Sequence, residues 1–298
     1  MDKLVIRHYG ATEQMDRKTN QDYFYADSKE HLYLIADGMG GYEGGDFASR
    51  FASHVTGEMI KLVDLLFKPI GDTTFLHSDV NPKADNYMIL LEKIVRVVNK
   101  ELNEEAKRLA YKKMGTTLSF LLFRRSSVYS VNVGDSPCYR YSEGVLRQIT
   151  RSHSKVDDMV REEKLSKEGA EDHPESNIVR RWLGGMKDGA WADITIMPVY
   201  INDRFFMCTD GVSKILKDKR IESLLATQKP KEAAGQILQA VKDAPQKERA
   251  GKPILKDNAT VIIVDVVRVP ETKGISSDEA ELSEDAGVEE TEDTFQAG

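Results

Sequence analysis

Five short stretches each place an aspartate at one end of an apolar run. Leu32-Tyr33-Leu34-Ile35-Ala36 runs into Asp37-Gly38-Met39-Gly40-Gly41, Arg204-Phe205-Phe206-Met207-Cys208 into Thr209-Asp210-Gly211, and Val131-Asn132-Val133 into Gly134-Asp135-Ser136. Asn20-Gln21-Asp22 leads into Tyr23-Phe24-Tyr25, and Asp257-Asn258 leads into the run from Ala259 to Val269. Runs this short and apolar read as strands buried on both faces. The glycines after Asp37 let the backbone turn and approach a neighbour closely. Taken singly, each Asp reads equally well as a solvated residue at a strand-to-turn exit; the recurrence points to chemistry. Carboxylates gathered at strand ends repel one another unless a cation lies among them. Oxygen-only ligands suit hard divalent ions such as Mg²⁺ or Mn²⁺, so the pattern predicts a carboxylate-built metal site.

The surrounding sequence must supply the frame. Strands are expected at about residues 4–9, 23–26, 32–36, 116–123, 128–133, 138–141, 145–149, 192–199, 204–208 and 259–269. Helical spacing covers 46–66, with Phe47, Phe51, Val55 and Met59 on one face, and 86–112, where Met88, Leu91, Val95, Val98, Leu102, Ala106 and Leu109 form a stripe. Both stripes read as core faces. Further helices are expected at 219–226 and 230–243, with a turn-rich loop at 69–83. The order of strands, two long helices, strands, two helices, strand lacks βαβ alternation and argues for hairpin-built sheets. The fold class expected is α+β, a four-layer α-β-β-α sandwich of two mainly antiparallel sheets flanked by helices. Residues 150–185 interrupt this pattern as a polar insertion with two short helices, around 155–163 and 176–183.

Composition narrows the class. The chain has 298 residues, 40% hydrophobic and 31% charged, ordinary values for a globular protein. Residues 270–298 hold ten acids and one Lys, a charge of −9, so the remaining chain carries +2 within a total of −7. Nothing in that balance resembles a nucleic-acid footprint. The tail is too polar to bury its own surface and is expected to be disordered, leaving 1–269 as the folded domain. Cys138 and Cys208 lie in apolar strands and fit buried free thiols better than a disulfide. With no signal-peptide pattern and no apolar run long enough to span a membrane, the expected setting is cytoplasmic.

In their order and spacing these stretches resemble the metal-dependent type 2C serine/threonine protein phosphatases in their bacterial form. The resemblance covers about residues 5–268 and rests on Arg17-x-x-Asn20-Gln21-Asp22, Asp37-Gly38-Met39-Gly40-Gly41, Met114-Gly115-Thr116-Thr117, Val133-Gly134-Asp135-Ser136, Thr209-Asp210-Gly211 and Asp257-Asn258-Ala259-Thr260. That family's fold is the same four-layer sandwich. The resemblance implies that Asp37 bridges two ions of Mn²⁺ or Mg²⁺, and that the Gly38 carbonyl, Asp210 and Asp257 complete the direct ligands. It implies that Asp22 acts through water, that Arg17 binds the substrate phosphate, and that Asp135 helps to hold a weaker third ion. Residues 150–185 take the place of the family's variable flap, with His153, His173, Pro174, Asn177 and Arg180 similar to its bacterial version. Two residues depart from the pattern. Gln21 stands where many relatives have Glu, and Lys214 stands where the family places an aspartate at the third ion. A protonated lysine has no lone pair for a metal, so the third ion should bind weakly or not at all; the ammonium either pairs with Asp135 or Asp210 or points to solvent.

The resemblance implies hydrolysis of phosphoserine and phosphothreonine in proteins by a metal-activated water, with Arg17 as a bidentate phosphate ligand. The implied partners are phosphorylated proteins and a serine/threonine kinase sharing those targets, and the chain is expected to be a monomer. A cysteine-phosphatase route fails on spacing, because neither Cys138 nor Cys208 has an Arg six residues later. The glycine loop lacks the lysine and spacing of a nucleotide-binding loop. The competing reading is a catalytically silent phosphoprotein-binding regulatory module on the same fold, which loss of the metal carboxylates would mark. Apart from the family, Arg17 reads as a solvated loop residue, and His153 and His173 read as flap structure because no ligand partner accompanies them.

Overall fold

The computed structural model describes residues 3–40, 44–67, 84–111, 113–166, 169–170, 173–185, 191–226, 229–246, 248–249 and 252–269. The acidic tail and the 69–83 loop therefore lie outside the described residues, as does Gly41. In chain order the strands are β1 (Lys3–Glu13), β2 (Asp22–Asp27), β3 (Leu32–Met39), β4 (Gly115–Thr116), β5 (Leu118–Arg124), β6 (Ser127–Val133), β7 (Cys138–Ser142), β8 (Val145–Gln148), β9 (Asp193–Pro198), β10 (Arg204–Cys208), β11 (Glu248–Arg249), β12 (Lys252–Pro253) and β13 (Ala259–Val269). The helices are α1 (Gly44–Phe67), α2 (Ala84–Arg108), α3 (Lys155–Arg161), the single turn α4 (Asp210–Ser213), α5 (Asp218–Leu225) and α6 (Pro230–Asp243).

Two main sheets form, one in the order β2-β3-β5-β6-β9 and the other β1-β13-β10-β7-β8, with every pairing antiparallel. The period-two alternation of β3 sorts its side chains into two cores. Leu32, Leu34 and Ala36 pack with Ala52 and Ile60 of α1 and Leu91 and Val98 of α2. Tyr33 and Ile35 face the other way, into a core shared with Phe205 and Met207 of β10 and with Ile262 and Val264 of β13. From β10, Phe206 and Cys208 point outward to Ile221 and Leu224 of α5 and Ile237 of α6. Helices, sheet, sheet and helices thus stack as four layers, as expected. Both cysteines are buried and free, on opposite faces of the second sheet.

One expected element is absent. Residues 174–177 form turns, and the chain beyond them runs extended instead of as the helix expected at 176–183. Val179 bridges Ser154, and Leu183 bridges Thr116. These tertiary partners outcompete a local helical preference that eight residues cannot enforce. Among the described residues, no helix is long and apolar enough to cross a membrane.

Candidate metal centre

The sandwich brings the aspartates of both sheets to one rim. Asp22 and Asp37 are register partners on β2 and β3. Asp22 is buried, and its Oδ2 accepts hydrogen bonds from the hydroxyls of Thr209 and Thr260, both at 2.7 Å. Those two threonines belong to the ends of β10 and β13, so this carboxylate fastens one sheet to the other. The backbone of Asp37 is held from β4 and the residue after it: its N–H donates to Thr117 Oγ1 at 2.9 Å, and its carbonyl accepts from Thr116 Oγ1 at 3.0 Å. Thr117 Oγ1 lies 2.9 Å from Ser136 Oγ, which ties the Asp37 segment to the turn carrying Asp135.

Close backbone packing draws the remaining acids in. A Cβ on Gly211 would lie 1.9 Å from the Asn258 carbonyl oxygen, so only glycine lets the Asp210 segment meet the Asp257 segment. At Gly38 a Cβ would lie 2.1 Å from the carbonyl oxygen of Gly45, at the start of α1. Asn258 clamps the loop before β2. Its Oδ1 accepts from the Gln21 N–H at 3.0 Å, and its Nδ2 donates to the carbonyls of Gln14 (2.9 Å) and Thr19 (3.0 Å). That loop carries Arg17, whose guanidinium contacts Asp257 Oδ2 at 2.6 Å while remaining about half exposed. Arg17 is therefore at the rim of the cluster.

Acids outnumber bases here. Burial, and then the charges of Asp210 and Asp257, push the Asp22 carboxyl up to about 7 against the pull of its two threonine hydrogen bonds. Burial and the surrounding Asp22, Asp210, Asp135 and Asp257 hold Asp37 well above the ordinary carboxylate range. Asp135 is raised to about 6 by burial and Asp210, against the nearby Lys214, and burial also raises Asp257 in spite of Arg17. Both Asp135 carboxylate oxygens are buried without a hydrogen-bond partner.

These features fit a divalent-ion site. The donors are hard oxygens, the carboxylates destabilise one another, and buried Asp135 lacks any donor of its own. Among the described residues the acids do not already converge as a ready ligand set; the cationic side chains of Arg17 and Lys214 stand among them. Lys214 does not point to solvent. Its Nζ lies 2.5 Å from Asp210 Oδ2, 3.7 Å from Asp135 Oδ2 and 3.0 Å from Asn177 Oδ1.

The flap residues have separate placements. His153 is buried, its Nδ1 accepting from the Gly134 N–H at 3.1 Å and its Nε2 lying 3.1 Å from Asp193 Oδ2. With Nδ1 accepting, the neutral ring carries its proton on Nε2 and donates it to Asp193. Both nitrogens are thus engaged structurally. His173 Nδ1 accepts from the Glu175 N–H, and the Arg180 N–H donates to the His153 carbonyl. Of the five flap residues singled out in the sequence, Asn177 is the one with a contact to the cluster, through Lys214. Sequence reasoning did not assign the roles of Thr209, Thr260, Asn258 and Asn177. For Thr209 and Asn258 the available signal was a hydroxyl or amide directly beside a candidate ligand; Thr260 lies in the motif that begins at Asp257, and Asn177 was singled out as a flap residue without a role.

A protein-family model described as Protein phosphatase 2C matches residues 9–250. The serine/threonine phosphatase stp of Listeria innocua is 31% identical over 229 residues, which are 76% of this chain and 82% of that protein. The serine/threonine protein phosphatase PstP of Mycobacterium tuberculosis is 30% identical over 265 residues, 89% of this chain and 46% of that protein. The crystal structure of PstP/Ppp superposes with a TM-score of 0.72 at 26% identity, covering 88% of this chain and 99% of that one. The catalytic domain of PstP in complex with two manganese ions gives 0.69 at 27% identity, over 89% and 100% of the two chains.

Proposed function

The chain belongs to the protein phosphatase 2C family, and from that premise we propose that it hydrolyses phosphoserine and phosphothreonine in proteins at the carboxylate rim, using divalent metal ions. The observation that carries this reading is the surplus of carboxylates, Asp22, Asp37, Asp135, Asp210 and Asp257, beside a partly exposed arginine. All the acids that a silent phosphoprotein-binding module would lack are present.

In this reading Asp37, Asp210, Asp257 and the Gly38 carbonyl would hold the divalent ions directly, and Asp22 would act through water. The PstP structure with two manganese ions supports a pair and supports Mn²⁺ as a competent ion; Mg²⁺ matches the same hard oxygens. When bound, the ions neutralise phosphoryl charge and make an attacking water acidic enough to react near neutral pH.

The chain's own residues then have distinct tasks. Arg17 exchanges Asp257 for the phosphoryl oxygens, two of which its planar fork can hold while fixing the direction of phosphorus. Its exposure leaves room for a protein-borne phosphate to arrive from solvent. Asp22, braced by Thr209 and Thr260, fixes the spacing between the two sheets and hence between Asp37 and Asp210. Asn258 fixes the Arg17 loop. The partners proposed are phosphorylated proteins and the serine/threonine kinase that modifies them. The deciding experiment measures hydrolysis of p-nitrophenyl phosphate and of a phosphothreonine peptide with Mn²⁺, with and without EDTA. Turnover that survives complete chelation, or none at saturating Mn²⁺, would reject the reading.

A further inference from the structure

One cation is built into the carboxylate cluster from within the chain. Lys214 follows Asp210 by one helical turn, its N–H donating to the Asp210 carbonyl at 2.9 Å, so its side chain returns alongside that carboxylate. The ammonium lies 2.5 Å from Asp210 Oδ2 and 3.7 Å from Asp135 Oδ2. Its third neighbour is Asn177 Oδ1 of the flap, at 3.0 Å. Three segments far apart in sequence therefore meet at one positive charge.

We propose that Lys214 is the resident cation of the Asp135–Asp210 side of the site, a positioning residue that takes the place of an additional divalent ion and ties the flap to the carboxylates through Asn177. The proposal rests on the metal-dependent reading above. A salt bridge between two exposed groups would contribute little, but here the acids are largely buried while the ammonium stays partly exposed. The Asp135 side chain is 5% exposed and that of Lys214 34%, and neither Asp135 oxygen has a hydrogen-bond partner. A buried carboxylate in that state needs a nearby cation. The ammonium meets that need without any ion from solution, and it repels a further divalent ion that would use the same two acids. The tie to Asn177 adds a mechanical consequence. The flap is also fastened to the body through His153 to Gly134, Leu183 to Thr116 and Gly184 to Asn99. The Lys214–Asn177 bond fastens its turn directly to the acids.

The test uses the full chain stripped with EDTA, Mn²⁺ as the titrant in calorimetry, and hydrogen exchange across residues 173–185. Wild type and Lys214→Arg should titrate with the tight phase alone. Lys214→Asp should add a separate weaker phase, and Lys214→Gln a smaller one, with the tight phase unchanged. Asn177→Ala should titrate like wild type, yet it and Lys214→Gln should both speed exchange in the flap by about tenfold. Identical Mn²⁺ phases in wild type, Lys214→Asp and Lys214→Gln would overturn the resident-cation role. Unaltered flap exchange in both Asn177→Ala and Lys214→Gln would overturn the tie. Absence of any Mn²⁺ binding by wild type is a different failure, and it would remove the metal-dependent reading itself.

Discussion

At the Arg204 end of strands β10 and β13, each aspartate has its own guanidinium. Arg204 grips Asp265 through Nε at 2.6 Å and Nη2 at 2.7 Å, and Arg140 reaches buried Asp203 at 2.6 Å. At the other end of the same two strands, Asp210 and Asp257 join Asp22, Asp37 and Asp135, with Arg17 and Lys214 the cations in contact. The chemistry of the groups is the same and the stoichiometry differs. One-to-one pairing matches each acid there with a cation, even though Asp203 Oδ1 and Arg140 Nε are left without a hydrogen-bond partner. Burial, and then the excess of carboxylate, raises the proton affinity of Asp22, Asp37, Asp135 and Asp257 and leaves a standing demand for positive charge, which divalent ions meet. The difference separates structural acids from functional ones where burial alone would not, since both ends hold buried aspartates.

The sharpest way to break this comparison is to remove acids from the crowded end. Asp37→Asn or Asp210→Asn should lower kcat by roughly 10³-fold or more, about 4 kcal/mol of barrier. The metal-free fold should stay intact or gain stability, because one repelling charge is gone. Turnover like wild type's at saturating Mn²⁺ would remove these acids from the site. The complementary change, Arg204→Ala, leaves Asp265 largely buried and unpaired and should cost about 3 kcal/mol. That corresponds to a fall in Tm of roughly 6–12 °C, while kcat/KM of the folded protein holds within about twofold. An Arg204 variant that loses turnover while keeping its Tm would show that the two ends are not separable.

A pH series sharpens the contrast further. Asp22 at about 7 and Asp135 at about 6 have folded-state values above their ordinary ones, and Asp37 and Asp257 are raised as well. Between pH 4 and pH 7 the folded, metal-free chain therefore holds more protons than the unfolded chain, so its stability falls as pH rises through that window. His153, lowered by burial, acts with the opposite sign: its stabilising contribution is lost as pH falls below about 6.5. His8 and His54, also lowered by burial, act in the same sense as His153, and Asp157 joins the raised carboxylates; Asp22 and Asp37, whose protons are held highest, set the net sign. In EDTA the protein should be more stable at pH 5.5 than at pH 8, on the order of 2 kcal/mol, and saturating Mn²⁺ should reverse the order. Urea melts at the two pH values, with and without Mn²⁺, decide it, and a metal-free protein more stable at pH 8 would contradict the surplus.

Much of this was legible in the sequence because it is encoded locally. The continuous apolar runs of β3, β10 and β13 announce strands covered on both faces, and each candidate acid stands within two residues of the end of an apolar run. Layer order followed from element order. What was not legible depends on contacts between distant segments. The helix expected at 176–183 yields to bridges with Ser154 and Thr116, partners that no local window contains. The direction of Lys214 was open until the turn starting at Asp210 and the position of Asn177 were known. Thr260 reads as a β-branched strand residue, yet its hydroxyl helps to hold the carboxylate that joins the two sheets.

The smallest expected effect concerns Asn258, which contacts no substrate in this scheme and acts through the loop that carries Arg17. Its side chain makes three hydrogen bonds, to the Gln21 N–H and to the Gln14 and Thr19 carbonyls. Asn258→Ala removes all three while leaving the Arg17 guanidinium and the backbone contact at Gly211 in place. The loop should then sample positions in which Arg17 no longer reaches the phosphate, at a cost of about 1–1.5 kcal/mol. Because Arg17 is loosened and not deleted, the loss should fall mainly on KM, about tenfold, with kcat changed by less than about threefold. A double-mutant cycle isolates the route. Arg17→Ala alone should cost more than Asn258→Ala, and adding Asn258→Ala to it should cost almost nothing further if Asn258 works through Arg17. Equal costs in both backgrounds would place the effect of Asn258 on neighbouring Asp257 instead. The mutation would then belong with losses of metal affinity, which a Mn²⁺ titration of the same variants would register.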